Sequence, residues 1–205
     1  MSAEHSSLSG QDTFIQDLRK QTGPSHQKLE ENALSKALLD PGVNMQAYQA
    51  YLAALYGVTV SFETSPATLI QDVIPDIAQR SRAHLIVNDL LATGFTVEQI
   101  ADLPVYHHHL PTKSGAMGAM YVLEGSTLGG RILYKHIHKT LGLTVSNGAS
   151  YFWGYGEETG IMWKSFVSKF TQFAIESGQS AEIIDSAVQT FTIIDHWLDE
   201  AVIEK

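Results

Sequence analysis

Residues Gly115–Gly130 read GAMGAMYVLEGSTLGG, and they set two local rules against each other. The length and flanks are helical, yet five of the sixteen positions are glycine. Each glycine in a helix interior costs about 1 kcal/mol relative to alanine. Gly118, Gly125 and Gly129 are spaced by seven and four, so they share one helical face. A face without side chains lets the backbone come very close to something flat.

Outward from this stretch the pattern is helical almost everywhere. Phe14, Ile15 and Leu18 mark a first amphipathic segment, and Leu29, Ala33, Ala37 and Leu38 continue it after Gly23-Pro24. Met45, Tyr48, Leu52, Leu55 and Phe62 keep three-and-four spacing behind Asn44, a good N-cap. Pro66 and Pro75 bound a short connector or helix. Ser81–Leu91 reads as a helix stopped at Gly94. Thr96 followed by Gln99 resembles a capping box opening a short helix that Pro104 ends. The glycine-rich helix spans Thr112–Thr140. Gly160–Ile175 and Ser180–Val202 complete the set, the last with an apolar stripe of Ile184, Ala187, Phe191, Ile194, Leu198 and Val202. No period-two alternation, repeat or interdomain linker interrupts this. The expectation is an all-α single domain of about seven or eight helices over residues 12–205, preceded by a flexible segment over 1–11.

The chain has 205 residues and a formal net charge of −9, which disfavours nucleic acid and anionic membrane surfaces as partners. Cysteine is absent, which excludes disulfides, thiolate metal sites and cysteine nucleophiles. The start, MSAEHSSLSGQD, does not have the form of a signal peptide, and no run is apolar enough to cross a bilayer. A cytoplasmic protein is expected.

Of the nine histidines, His107, His108 and His109 lie in a loop between prolines and read as solvated. His136 and His138 do not face each other, and His84 and His196 are single histidines in helical patterns. No histidine after His5 has a carboxylate three residues before it, so a carboxylate-bridged metal pair is not expected. His26 differs in its company. Arg19 lies seven residues before it and Glu30 four after, both on its helical face. A ligating imidazole usually hydrogen-bonds a carboxylate or carbonyl through its other nitrogen, a place Glu30 can fill; the plainer reading is an exposed His–Glu pair.

The glycine helix, together with His26 in TGPSHQKLEENALSKALL, resembles the biliverdin-producing haem oxygenases, most closely the bacterial branch associated with phytochromes. The resemblance implies haem b, both cofactor and substrate, held between a proximal helix and a kinked, glycine-rich distal helix. It places His26 as the iron ligand and Gly125, Gly129 and Gly130 as the distal glycines beside the iron. It places Arg19, and less closely Lys164, at propionate-binding positions, and Phe191 at an aromatic pocket wall. Ordinary core packing is the alternative for Phe191. An external electron donor, a ferredoxin or a reductase, is implied, as is a biliverdin-accepting phytochrome. Arg131, Lys135 and Lys139 form a basic stripe suited to an acidic donor, or simply a solvated face.

The sequence departs from the family pattern in three places. Ser126 stands where many members carry an aspartate that anchors a distal water network; Ser126, Thr127 and Glu124 are the candidates to hold water instead. Pro24 either bends the ligand's helix or starts a new one. The second propionate-binding arginine, one turn after Lys164, is replaced in the Ser168-Lys169 region. The expected activity is O2- and electron-dependent cleavage of haem to biliverdin, iron and carbon monoxide. The alternative is a non-catalytic haem carrier or sensor on the same fold. A related all-α family with thiaminase-type chemistry uses a cysteine that this chain lacks.

Overall fold

The computed structural model describes residues 2–203, with side chains described for 10–64 and 66–201. Among these residues nine α-helices form: α1 Ser2–Glu31, α2 Ala33–Leu39, α3 Met45–Ile70, α4 Ala83–Ala92, α5 Val97–Ala101, α6 Lys113–Leu141, α7 Ser150–Trp153, α8 Thr159–Ser177 and α9 Ser180–Ile203. Short 3-10 turns occupy Ile77–Arg80 and Gly156–Glu158. The all-α, single-domain expectation holds. The helix count rises because two short helices, α2 and α7, stand apart from longer neighbours.

Local chemistry explains most of the boundaries. Asn44 caps α3 by accepting from the Ala47 N–H at 2.9 Å. The Thr96–Gln99 capping box forms with both of its bonds. Asn32 separates α1 from α2. Its side-chain oxygen accepts from the Leu34 N–H at 3.0 Å, and its amide donates to the Asp199 carboxylate of α9 at 2.8 Å.

Two of the prolines lie inside helices. Pro24 lies inside α1, which is one continuous helix that also includes residues 2–11. The proline and the residue whose carbonyl loses its N–H partner, Lys20, are both exposed, so water can satisfy that carbonyl. Pro66 does not bound a connector; α3 runs through it to Ile70. Phe62 and Ile70 on either side are fully buried in one core, and that burial outweighs one lost hydrogen bond.

Helix α6 is the hub, packing against α9, α3, α8 and α7. Its first half explains the early glycines. A Cβ on Gly118 would collide with the Ile183 carbonyl and come within 2.8 Å of Ser186 Cβ, so α9 lies directly on the bare backbone. Ser186 Oγ donates to the Gly115 carbonyl at 2.7 Å across the same contact. Gly118 therefore serves helix packing, although it shares a face with Gly125 and Gly129. The α9 stripe from Ile184 to Leu198 is buried as expected; the side chain of Val202 lies outside the described residues. Phe14, Leu18, Phe62, Met117, Phe166 and Phe170 anchor one core, and Tyr48, Leu52, Ile86, Leu90 and Phe152 anchor a second. Among the described residues no helix is long and apolar enough to cross a membrane.

Candidate functional site

A cavity of about 460 Å³ opens between the helices. Helix α1 supplies Arg19, His26 and Glu30 to its wall. Helix α6 supplies Gly125, Ser126, Gly129 and Gly130, and α9 supplies Phe191. These eight residues, all singled out in the sequence, thus meet around one space. Lys164 does not join them: it is exposed on α8, and its neighbour Trp163 lines the cavity instead.

His26 is half exposed, with Nδ1 3.8 Å from the Glu30 carboxylate. That is too long for a hydrogen bond but near enough to orient the ring. Nε2 makes no hydrogen bond among the described residues. The ring stands edge-on to Phe191, 5.3 Å between centroids. Arg19 lies within electrostatic reach of the Tyr121 hydroxyl. Burial pushes that phenol up, and the arginine pulls it back down.

On the α6 wall the glycines leave open space. A Cβ on Gly129 would meet nothing within 4 Å, and one on Gly125 would only touch Trp163 at 3.7 Å. Gly130 is tighter, since its Cβ would stand 3.0 Å from the Phe152 carbonyl. All five glycines keep ordinary helical φ, so space and not a left-handed backbone is what they provide. Leu39, Leu128 and Ile132 also line the cavity, yet each remains more than two-fifths exposed. Large apolar side chains left open around a cavity mark a binding surface.

The polar part of the wall is built differently from expectation. Glu124 does not line the cavity. Its carboxylate is buried behind α6, where it accepts from Arg80 Nη1 at 2.5 Å and from the Tyr155 hydroxyl at 2.6 Å. Burial pushes the Glu124 carboxyl up, against the pull of these partners. Thr127 turns its hydroxyl to the Glu124 carbonyl at 2.6 Å. Ser126 alone of the three water-holding candidates reaches the cavity. It donates to the Leu123 carbonyl at 2.7 Å and accepts from Arg82 Nη2 at 3.2 Å.

Arg82 was not singled out in the sequence. It occupies the N-cap position of α4 without a side-chain cap bond. Arginine is a poor residue there, because its charge opposes the helix dipole. Glu63 of α3 does the capping instead, accepting from the Arg82 and Ala83 N–H groups at 2.8 and 2.9 Å. The guanidinium is thereby free to run into the cavity wall, where it donates to the Leu123 carbonyl at 2.7 Å. A cation at a helix start is the local inconsistency that could have revealed it.

Elsewhere, His107 and His109 are exposed as expected, but His108 is half-buried with its ring 5.2 Å from Phe62. Burial pushes its imidazole down. Arg131 of the basic stripe stacks over Trp153 at 3.9 Å and pairs with Glu157 at 3.4 Å, while Lys135 and Lys139 are exposed. No group of three or more potential metal-ligating side chains assembles among the described residues. A single histidine beside an apolar cavity suits iron that arrives already held in a macrocycle.

The Heme oxygenase family model matches residues 12–200. A search of the curated proteins finds no match. Among solved structures, the haem oxygenase of Neisseria meningitidis, in its NO- and CO-bound forms, superposes with a TM-score of 0.73 at 22% identity, covering 92% of this chain and 91% of that one. The haem oxygenase of Leptospira interrogans gives 0.75 at 17% identity over 91% of this chain and 98% of that one. Haem oxygenase-1 of the cyanobacterium Synechocystis sp. PCC6803, in complex with haem, gives 0.69 at 18% identity over 91% of each chain. At these identities the structures establish the shared fold, and the family match over nearly the whole length establishes more: the chain belongs to the haem oxygenase family.

Proposed function

We infer that the protein is a haem oxygenase, cleaving haem to biliverdin, iron and carbon monoxide with O2 and externally supplied electrons. One observation carries this reading. His26 of α1 and the bare backbone at Gly125 and Gly129 of α6 line the same cavity.

The residues present suit haem. Haem brings the redox-active iron and is also the ring that is oxidised. His26 offers Nε2 to the iron, while Glu30 at Nδ1 and the edge of Phe191 restrain the imidazole. Arg19 holds a propionate by charge. Gly125 and Gly129 leave room for the flat ring and for O2. Ser126 and Arg82 present hydrogen-bonding groups on the α6 side.

Serine after the first glycine of EGSTLGG supports the phytochrome-associated bacterial branch, with a biliverdin-accepting phytochrome as the product's partner. The exposed Lys135 and Lys139 support docking of an acidic donor such as ferredoxin. A cytoplasmic setting suits a chain without cysteine. The test is turnover: hemin-loaded protein, given an electron donor in air, forms biliverdin and releases carbon monoxide. Hemin that survives reduction under air would instead make the protein a carrier or sensor.

A further inference from the structure

Arg80 and Arg82 are both almost fully buried, at 2% and 4% exposure, but their charges are treated differently. Arg80 is neutralised on two sides, by Asp76 at 2.7 Å and by Glu124. Arg82 forms no ion pair among the described residues. Its guanidinium donates to a carbonyl and a hydroxyl, both uncharged. The nearby carboxylates are committed elsewhere: Glu63 to backbone amides, Glu124 to Arg80 and Tyr155. The faces of Tyr151 and Tyr155, 5.1 and 5.9 Å from its central carbon, offer only weak compensation. Among the described residues its Nε has no hydrogen-bond partner, and neither does Thr59 Oγ1, a buried atom of another cavity-lining residue.

Burying a cation without a direct ion pair and with an unsatisfied N–H costs folding energy; desolvation opposes the Arg82 charge, but Tyr151, Tyr155, Glu124 and Glu63 around it outweigh this and keep the guanidinium charged. The cap of α4 does not need this side chain, since Glu63 already supplies it. What the guanidinium reaches is the cavity wall.

We propose that Arg82, held by Ser126 and the Leu123 carbonyl, is the electrostatic recognition group of the distal cavity, giving the haem-loaded protein a preference for small anionic ligands over neutral ones. A positive charge thereby occupies the wall at which Ser126 stands in place of an acid. This inference rests on the reading of the cavity as a haem site, and its test separates the two.

The experiment measures fluoride, azide and imidazole affinities of the ferric hemin complex by absorption spectroscopy, for wild type, Arg82→Gln, Arg82→Lys and Ser126→Ala. Removing the charge weakens fluoride and azide by about tenfold or more, while the neutral ligand imidazole is unaffected. Arg82→Lys recovers part of the anion affinity. Ser126→Ala, which buries no new charge, loses about two- to fivefold on the anions alone. It carries the test if Arg82→Gln does not fold. Equal losses for anions and imidazole would reduce Arg82 to a packing role and overturn the proposal. So would anion affinities that neither Arg82→Gln nor Ser126→Ala changes. Failure of wild type to form a one-to-one hemin complex would overturn the haem reading itself and this inference with it.

Discussion

The His26 imidazole meets the Phe191 ring edge-on, with 5.3 Å between centroids and 88° between planes. The contact fixes the plane of the ring that faces the cavity and leaves its nitrogens free. Phe191 is nearly buried, so its removal has a packing cost as well. Phe191→Leu keeps most of the apolar volume and costs less than about 1.5 kcal/mol of stability. It loosens the imidazole, and hemin affinity falls by about three- to tenfold. A thermal melt and a hemin titration measure the two effects separately. Unchanged hemin affinity would show that the contact is packing alone.

Gly118 and Gly129 lie on one face of α6 but respond to a methyl group with opposite sign. At Gly129 the methyl meets nothing within 4 Å, so alanine strengthens the helix by about 1 kcal/mol. The ligand-free melting temperature of Gly129→Ala rises by about 2–4 °C. Its hemin affinity falls, because the methyl stands in the cavity. At Gly118 the methyl collides with the Ile183 carbonyl of α9, and alanine costs about 1–3 kcal/mol. Melting temperatures that moved in the same direction would contradict the division of α6 into a packing half and a cavity half.

The acid limb of stability depends partly on Asp195. Desolvation opposes its charge, but Lys28 at 2.8 Å and Asn32 outweigh this and hold its carboxyl below the ordinary 3.8. A depressed folded value means the stabilisation is fully present above pH 3.8 and is lost as pH falls through the folded value. Wild type therefore loses melting temperature more steeply than Asp195→Asn below about pH 4, and the two curves run parallel above it. A pH series of thermal melts checks this; equal slopes at low pH would remove Asp195 from the account.

Local signals carried much of this fold in the sequence. The N-cap at Asn44, the capping box at Thr96 and the stripe on α9 depend on neighbours three or four residues away, and all three form. Pro66 misled because burial on both sides of it, which periodicity cannot weigh, carries α3 through. The stripe of Gly118, Gly125 and Gly129 was visible as a face, but its division between α9 and the cavity was not, since that depends on where α9 lies. Arg82 was missed for a related reason. Its role depends on Glu63, nineteen residues away, taking over the cap, and on Ser126, forty-four residues away, receiving the side chain.

In the proposed haem oxygenase, α1 and α6 hold haem between them, with His26 as the iron ligand. Absorption-monitored hemin titration of wild type and His26→Ala tests it most directly. Wild type forms a one-to-one complex with a sharp Soret band, and His26→Ala loses that ligand spectrum and partly regains it on adding imidazole. An identical spectrum in the two proteins would contradict the assignment of His26. The absence of a specific wild-type complex would contradict the haem site as a whole.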